Sequence, residues 1–367
     1  MKFLRTLKII SLIFFTTLVA IEIILRITFA KQLQIYSKLT FMQDSVLGFR
    51  YFPNANGTMR FPAYTRNFSI NKWGFPGKNF NLEKDSGTYR IALIGTSDDC
   101  GLFTNGPLNY ASLLEDSLRK TGHKVEIINL SIDGSNKSVR NITLAGGECL
   151  KYKPDLVLLR NEYPVTEDTK TKFRSTYKGI EIKYAHPSAL DSAKLYIDKH
   201  LALKQFQHYV IDYCYIYRFL IRANYRYNIP ILRIVLKNTT DSYIYWAKNL
   251  LWTEIMDKRN YNSPVILTDK QSIQLLKDTK ARLDSNKTSL ILYDIYKGQY
   301  DKDYKKIYKE NGLNYISLDI AYNEDYSFGT MDGHTSQKGH IIIAKTFFDI
   351  FPQIPELRNE LTRHKMK

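Results

Sequence analysis

Five short apolar runs, separated by stretches of helical period, constrain this chain more than anything else in it. They are "RIALIG" from Arg90, "KVEIINL" from Lys124, "PDLVLLRN" from Pro154, "SLILYDIY" from Ser289 and "NYISLD" from Asn314. Each has the length of a strand, and the apolar positions are consecutive, as in strands covered on both faces. Between them, "PLNYASLLEDSLRKTG" reads as an amphipathic helix with Pro107 near its start and Gly122 as its stop. Ser135 to Tyr152 and "KDYKKIYKENG" read as further helices, and "SQKGHIIIAKTFFDIF" closes the pattern with another. Strand and helix alternating at this pace build βαβ units, whose strands are parallel. The expected fold is therefore α/β, a doubly wound five-stranded parallel sheet.

The rhythm breaks once. Residues 165–285 contain "HYVIDYCYIYRFLIRANYRY" and "SYIYWAKNLLWTEIMDK", and they read as a mostly helical insertion whose aromatic stripes form core. Residues 31–88 alternate aromatic and polar residues around turn formers, as in "GFRYFPNANGTMRF", and read as short strands packed on the main domain. The expected organisation is an N-terminal anchor at 1–30, a leader segment at 31–88, the α/β domain at 89–352 and a basic tail at 353–367.

The N-terminus carries Lys2, Arg5 and Lys8 ahead of "IISLIFFTTLVAIEIIL", interrupted only by Glu22. Carried on to Ala30, a helix here reaches ~30 Å, enough to cross a bilayer. The basic start favours a cytoplasmic N-terminus, making this a single-pass signal-anchor with the rest of the chain on the extracytoplasmic side. A cleaved signal peptide ending at "TFA" is the competing reading. Lysine and arginine number 53 against 36 acidic residues, a net charge of +17. The lysines are spread out, with no run of five and no nucleic-acid motif, so nucleic acid is not expected as a partner. Three cysteines, Cys100, Cys149 and Cys214, fit neither a closed disulfide set nor a zinc spacing.

In doubly wound sheets ligands bind outside the carboxyl ends of the strands. The first strand ends in Gly95-Thr96-Ser97-Asp98-Asp99, the second in Asn129-Leu130-Ser131, the third in Arg160-Asn161-Glu162, and Met331-Asp332-Gly333-His334 precedes the last helix. No P-loop, dinucleotide fingerprint or Gly-x-Ser-x-Gly elbow is present. What fits is a serine nucleophile. Ser97 stands where a strand turns towards a helix, and His334 is placed to take its proton. Asp332 is placed to hold the imidazole in one tautomer. Ser97 N–H, Ser131 N–H and the Asn161 amide are the candidate oxyanion donors. A metal-dependent phosphoryl enzyme built on Asp98 and Asp99 is a rival, short of a further carboxylate at the third strand.

In this order the blocks resemble those of the SGNH (GDSL-type) hydrolases, over about Tyr89 to Phe351. "IALIGTSDDCG" is similar to the block carrying the nucleophile, "IINLSIDGS" to the oxyanion-glycine block, "KPDLVLLRNE" to the oxyanion-asparagine block and "DGHTSQKGHIIIA" to the Asp/His block. Thr96 stands where the family carries aspartate, and Ser131 where it carries glycine. "VLGFRYFPNANG" and the anchor resemble the leader of membrane-bound bacterial members. The resemblance implies a flavodoxin-like strand order, no cofactor and no metal. It implies a serine esterase or acyl hydrolase, or an O-acyltransferase, working through an acyl-enzyme on Ser97. An acylated glycan or lipid of the cell envelope is the implied substrate. A non-catalytic envelope protein that keeps the fold as a binding or assembly module is the alternative.

Overall fold

The computed structural model describes residues 2–30, 40–44, 47–60, 65–102, 104–105, 108–132, 138–162, 165–167, 173–178, 180–184, 188–199, 214–227, 252–254, 265–297, 304–321, 323–327 and 334–364. Five strands make one sheet: β1 (Tyr89–Ile94), β2 (Val125–Asn129), β3 (Leu156–Arg160), β4 (Ser289–Tyr296) and β5 (Asn314–Ile320). Their spatial order is β2-β1-β3-β4-β5, with every neighbouring pair parallel. This is the flavodoxin-like order, and its reversal between β1 and β3 opens a crevice at the carboxyl ends of those strands.

The helices α1 (Tyr110–Lys120), α2 (Ser138–Gly146), α3 (Asp269–Ser285), α4 (Tyr304–Glu310) and α5 (Gln337–Ile350) cover both faces. Side chains alternate along the strands, so each strand feeds two cores. Ile91, Leu93, Leu156, Leu158 and Ile291 meet Leu114 and Leu118 of α1 and Phe347 of α5. Ala92, Ile94, Val157, Leu159 and Leu292 meet Ile142 of α2, Leu276 of α3 and Tyr308 of α4. Burial on both sides explains why β1 and β3 read as unbroken apolar runs. Local signals fix the helix starts. Asn109 accepts the Ser112 N–H at the head of α1, and Thr268 and Gln271 form a capping box at the head of α3.

Three assignments are refined by the structure. The second helix runs only over Ser138–Gly146, followed by a 3-10 turn at Glu148–Tyr152. A glycine pair, Gly146-Gly147, breaks the pattern there. Among its described residues the insertion is mostly helical, as expected, and it carries strands as well. It holds a hairpin, Phe173–Tyr177 with Ile180–Tyr184, extended by Trp252–Glu254. Much of "SYIYWAKNLLWTEIMDK" lies outside the described residues. The insertion also ends earlier than 285, because α3 packs on α2 and β4 as the crossover helix between β3 and β4. The basic tail is a helix, α6 (Pro355–Arg363), with Leu357 and Leu361 buried on the α5 face. Its arginines occupy the outer side of an amphipathic helix.

The leader forms two antiparallel hairpins, Phe41–Asp44 with Gly48–Tyr51 and Asn56–Arg60 with Thr65–Ser69. Phe49, Tyr51, Phe68, Phe75 and Phe80 join the core on the α2 face. Arg50 ties this hairpin to the domain, reaching Asp44 at 2.6 Å and Glu148 at 2.8 Å. The N-terminal helix Lys2–Thr28 contains a span, Phe3–Thr28, with mean hydropathy 2.2, long and apolar enough to cross a membrane.

Candidate active site

The site begins with how β1 ends. After Ile94 the chain passes Gly95, Thr96 takes an extended conformation as N-cap, and Ser97–Cys100 form one helical turn closed by Gly101 in the left-handed region. A Cβ on Gly95 would stand 2.2 Å from Asp99 Oδ2. Only glycine permits this approach. Asp99 Oδ2 accepts the Thr96 N–H at 2.7 Å and the Thr96 hydroxyl at 3.1 Å. Thr96 thus has a place of its own here, as the cap that binds the buried acid.

This turn presents Ser97 to His334. The Ser97 Oγ lies 3.0 Å from His334 Nε2. The neighbouring Asp98 fixes the histidine loop. Its Oδ1 accepts the Thr335 N–H at 2.8 Å and the Thr335 hydroxyl at 2.9 Å. The backbone of residue 335 is thereby held to the residue after the nucleophile. Asp332 lies outside the described residues.

Asp99 is the centre of a buried network on the α1/α5 face. Its Oδ1 accepts the Tyr110 hydroxyl at 2.7 Å and the Tyr293 hydroxyl at 2.9 Å, with the Arg160 guanidinium at 3.4 Å. The side chain is fully buried, so only this set of donors makes the carboxylate tolerable. Burial, with Asp99 adding to it, raises the hydroxyl pKa of both Tyr110 and Tyr293 well above the ordinary range. Both therefore stay protonated and donate. His340 of α5 stacks on Tyr110 and accepts the Tyr110 N–H through Nδ1 at 3.2 Å. Burial lowers its pKa to about 4, which keeps that nitrogen free to accept.

The two expected oxyanion donors from β2 and β3 are placed differently from the sequence reading. The Ser131 N–H donates to Asn129 Oδ1 at 3.0 Å, and the Asn129 amide in turn reaches the Asp99 carbonyl. Asn161 donates to Asp294 Oδ2 at 2.8 Å and accepts the Tyr308 hydroxyl at 2.7 Å. The reason is strand alternation: Arg160 points to the α1/α5 face with Tyr293, so Asn161 points to the α4 face with Tyr308. The Asn161 side chain thus holds interior partners, and Ser131 is engaged through its backbone N–H. The Ser97 N–H stands in the first position of its helical turn.

Glu162, half-buried, accepts the Asn141 amide at 2.6 Å, and that amide also touches the Gly95 carbonyl at 3.3 Å. Burial, with Asp99 acting in the same direction, raises the Glu162 pKa to about 7. Among the described residues no group of three or more His, Cys, Asp or Glu side chains is arranged to hold a metal. Sequence reasoning passed over Arg160, Tyr110 and Tyr293. One signal was present: an arginine ending an otherwise apolar buried strand requires an internal acid.

The fold is SGNH-hydrolase-like: the 2-1-3-4-5 parallel sheet carries its serine after the first strand and its histidine before the last sheet-covering helix. Similar solved structures include TesA, at 10% identity over 73% of this chain and 99% of that one, with a TM-score of 0.35. A GDSL-like lipase from Bacteroides thetaiotaomicron is similar at 10% identity over 74% of this chain and 90% of that one, with a TM-score of 0.32. A lipase/acylhydrolase from Enterococcus faecalis is similar at 13% identity over 76% and 98%, with a TM-score of 0.26. No family model and no curated protein matches the chain.

Proposed function

We propose that the protein is a serine-dependent acyl-ester hydrolase of the SGNH type. The observation that carries this is the 3.0 Å contact between Ser97 Oγ and His334 Nε2 at the carboxyl end of the sheet. A serine hydroxyl becomes a useful nucleophile when a base stands within hydrogen-bond reach. His334 takes the Ser97 proton as Oγ attacks the ester carbonyl. The Ser97–acyl bond forms, the carbonyl electrons collect on oxygen, and the tetrahedral intermediate collapses as His334 returns the proton to the leaving alkoxide. Water then attacks the acyl-enzyme by the same steps in reverse, releasing the acid. A sugar hydroxyl in place of water makes the reaction an O-acyl transfer.

The Ser97 N–H is the donor for the developing oxyanion. Ser131 and Asn161 join it only by exchanging the partners they hold now. Asp332 is the proposed orienting acid for His334. Asp98 acts through the loop, setting the height of His334 over Ser97. The substrate class is an acylated glycan or lipid of the cell envelope, and the N-terminal helix is the membrane anchor that brings the domain to it.

The test is labelling of Ser97 by a fluorophosphonate probe together with turnover of a short-chain aryl ester. Both disappear in Ser97→Ala if the reading is right. Full turnover in that variant overturns it. A well-folded wild type that neither labels nor turns over supports the non-catalytic binding module instead.

A further inference from the structure

Glu22 is an acidic residue inside a span otherwise suited to a membrane, and such a residue needs a partner. The structure supplies one in the distant insertion. Glu22 Oε1 accepts the Tyr215 N–H and Oε2 accepts the Ile216 N–H, both at 2.9 Å, at the head of the 13-residue helix Tyr215–Tyr227. Those N–H groups belong to the first turn and have no intrahelical acceptor, so a carboxylate placed there both caps the helix and meets its positive end. Arg26 completes the set. Its Nε lies 2.9 Å from Glu22 Oε1, and its guanidinium stands 5.0 Å from the Tyr215 ring centre.

The packing around this contact is one-sided. Leu25 is 7% exposed, whereas its neighbours Ile23 and Ile24 are 51% and 56% exposed. Phe29 meets Phe219 with ring centres 6.4 Å apart. Glu22, Leu25 and Phe29 follow one another at three- and four-residue steps and share one face of the N-terminal helix. That face is turned to the insertion helix, and the rest is left to apolar surroundings.

We propose that the N-terminal helix is retained as a structural partner of the insertion, and that Tyr215–Tyr227 lies along the membrane–water interface, latched by Glu22. Glu22 stands six residues before the end of the span, which is about 9 Å along a helix axis. That depth places the head of the insertion helix near the headgroup level at the extracytoplasmic end. The helix composition suits the position: Phe219 is exposed, and the sequence adds tyrosines at 225 and 227 and arginines at 222 and 226, while Arg218 is buried. Aromatic rings and arginines are the side chains that settle at headgroups. The partner surface is the lipid bilayer itself. This inference stands on the anchor and insertion alone and does not depend on the chemistry at Ser97.

The experiment uses the full chain in phosphatidylcholine nanodiscs. Intact mass shows whether residues 1–30 are retained, and their loss from the mature protein overturns the proposal. Hydrogen exchange over 215–227 is compared between wild type and Glu22→Ala. Loss of a cap of ordinary strength speeds exchange there by about fivefold, with β1 amides unchanged. Glu22→Gln, which keeps an acceptor oxygen, shows a smaller increase. Unchanged exchange in Glu22→Ala overturns the latch. Phe219→Trp is then quenched by brominated phosphatidylcholine beyond the wild-type signal, and Glu22→Ala reduces that quenching. No added quenching overturns the interfacial placement.

Discussion

The two sides of the crevice at the strand ends are built to different plans. On the nucleophile side, three consecutive residues each hold a separate part of the machinery. Ser97 faces His334, Asp98 holds Thr335, and Asp99 gathers Thr96, Tyr110, Tyr293 and Arg160. On the oxyanion side, Ser131 and Asn161 bond to Asn129, Asp294 and Tyr308, partners in the interior. The contrast teaches that, in the proposed reaction, the first side is already assembled, while Ser131 and Asn161 would serve it by exchanging partners. Preorganisation is what makes fixed groups effective in the transition state.

Predictions that break or sharpen this contrast run from large to small. Ser97→Ala lowers ester turnover by at least about 10³-fold, measured with an aryl acetate, with folding unchanged. Asp99→Ala strands a buried arginine and two buried hydroxyls. It lowers unfolding stability by about 3–5 kcal/mol in a denaturant titration, a loss large enough to abolish folding at 37 °C in a marginal background. Asp98→Ala leaves stability nearly intact but lowers kcat by about 10–100-fold, because His334 is no longer held at the height of Ser97. Asp98→Asn, which still offers an acceptor to the Thr335 N–H, recovers most of it. A loss in Asp98→Ala that comes with equal destabilisation would make Asp98 merely structural.

The smallest effect concerns Glu162. Its pKa in the folded state, about 7, lies above the ordinary value, so the folded chain holds a proton between those values that the unfolded chain releases. The sign follows: this group favours folding below the ordinary carboxylate range, and that contribution fades as pH rises through about 7. Glu162→Gln therefore flattens the fall in denaturation midpoint between pH 5 and pH 8. A slope identical to wild type would remove Glu162 from the titrating groups of the site.

Much of this was legible in one dimension. The five runs became five strands: β1 and β3 are buried along their whole length, as consecutive apolar residues require, while β5 at the sheet edge is only partly buried. Ser97 and His334 were legible because the fold class fixes where strand ends meet. The helical character of the insertion was legible, but its hairpin was not, because its aromatic residues carry no single period and serve both a hairpin and a helix. The basic charge of the tail was legible, while its packing on α5 through Leu357 and Leu361 depends on the tertiary fold. Thr96 looked like a substitution, and its role as a cap for Asp99 depends on a turn that the residue types alone do not draw.

By itself the sequence determined the sheet, its helices and the serine–histidine pair, since hydrophobic periodicity and strand-end position are local properties of a chain. Only the tertiary structure decided which acid does what. Asp98 and Asp99 are identical and adjacent in sequence, yet one turn of helix aims the first at Thr335 and buries the second among Tyr110, Tyr293 and Arg160. Strand pleat likewise decided that Arg160 and Asn161 serve opposite faces, and long-range packing gave Glu22 a partner 193 residues away. Such assignments depend on direction in space, which residue type and spacing do not encode.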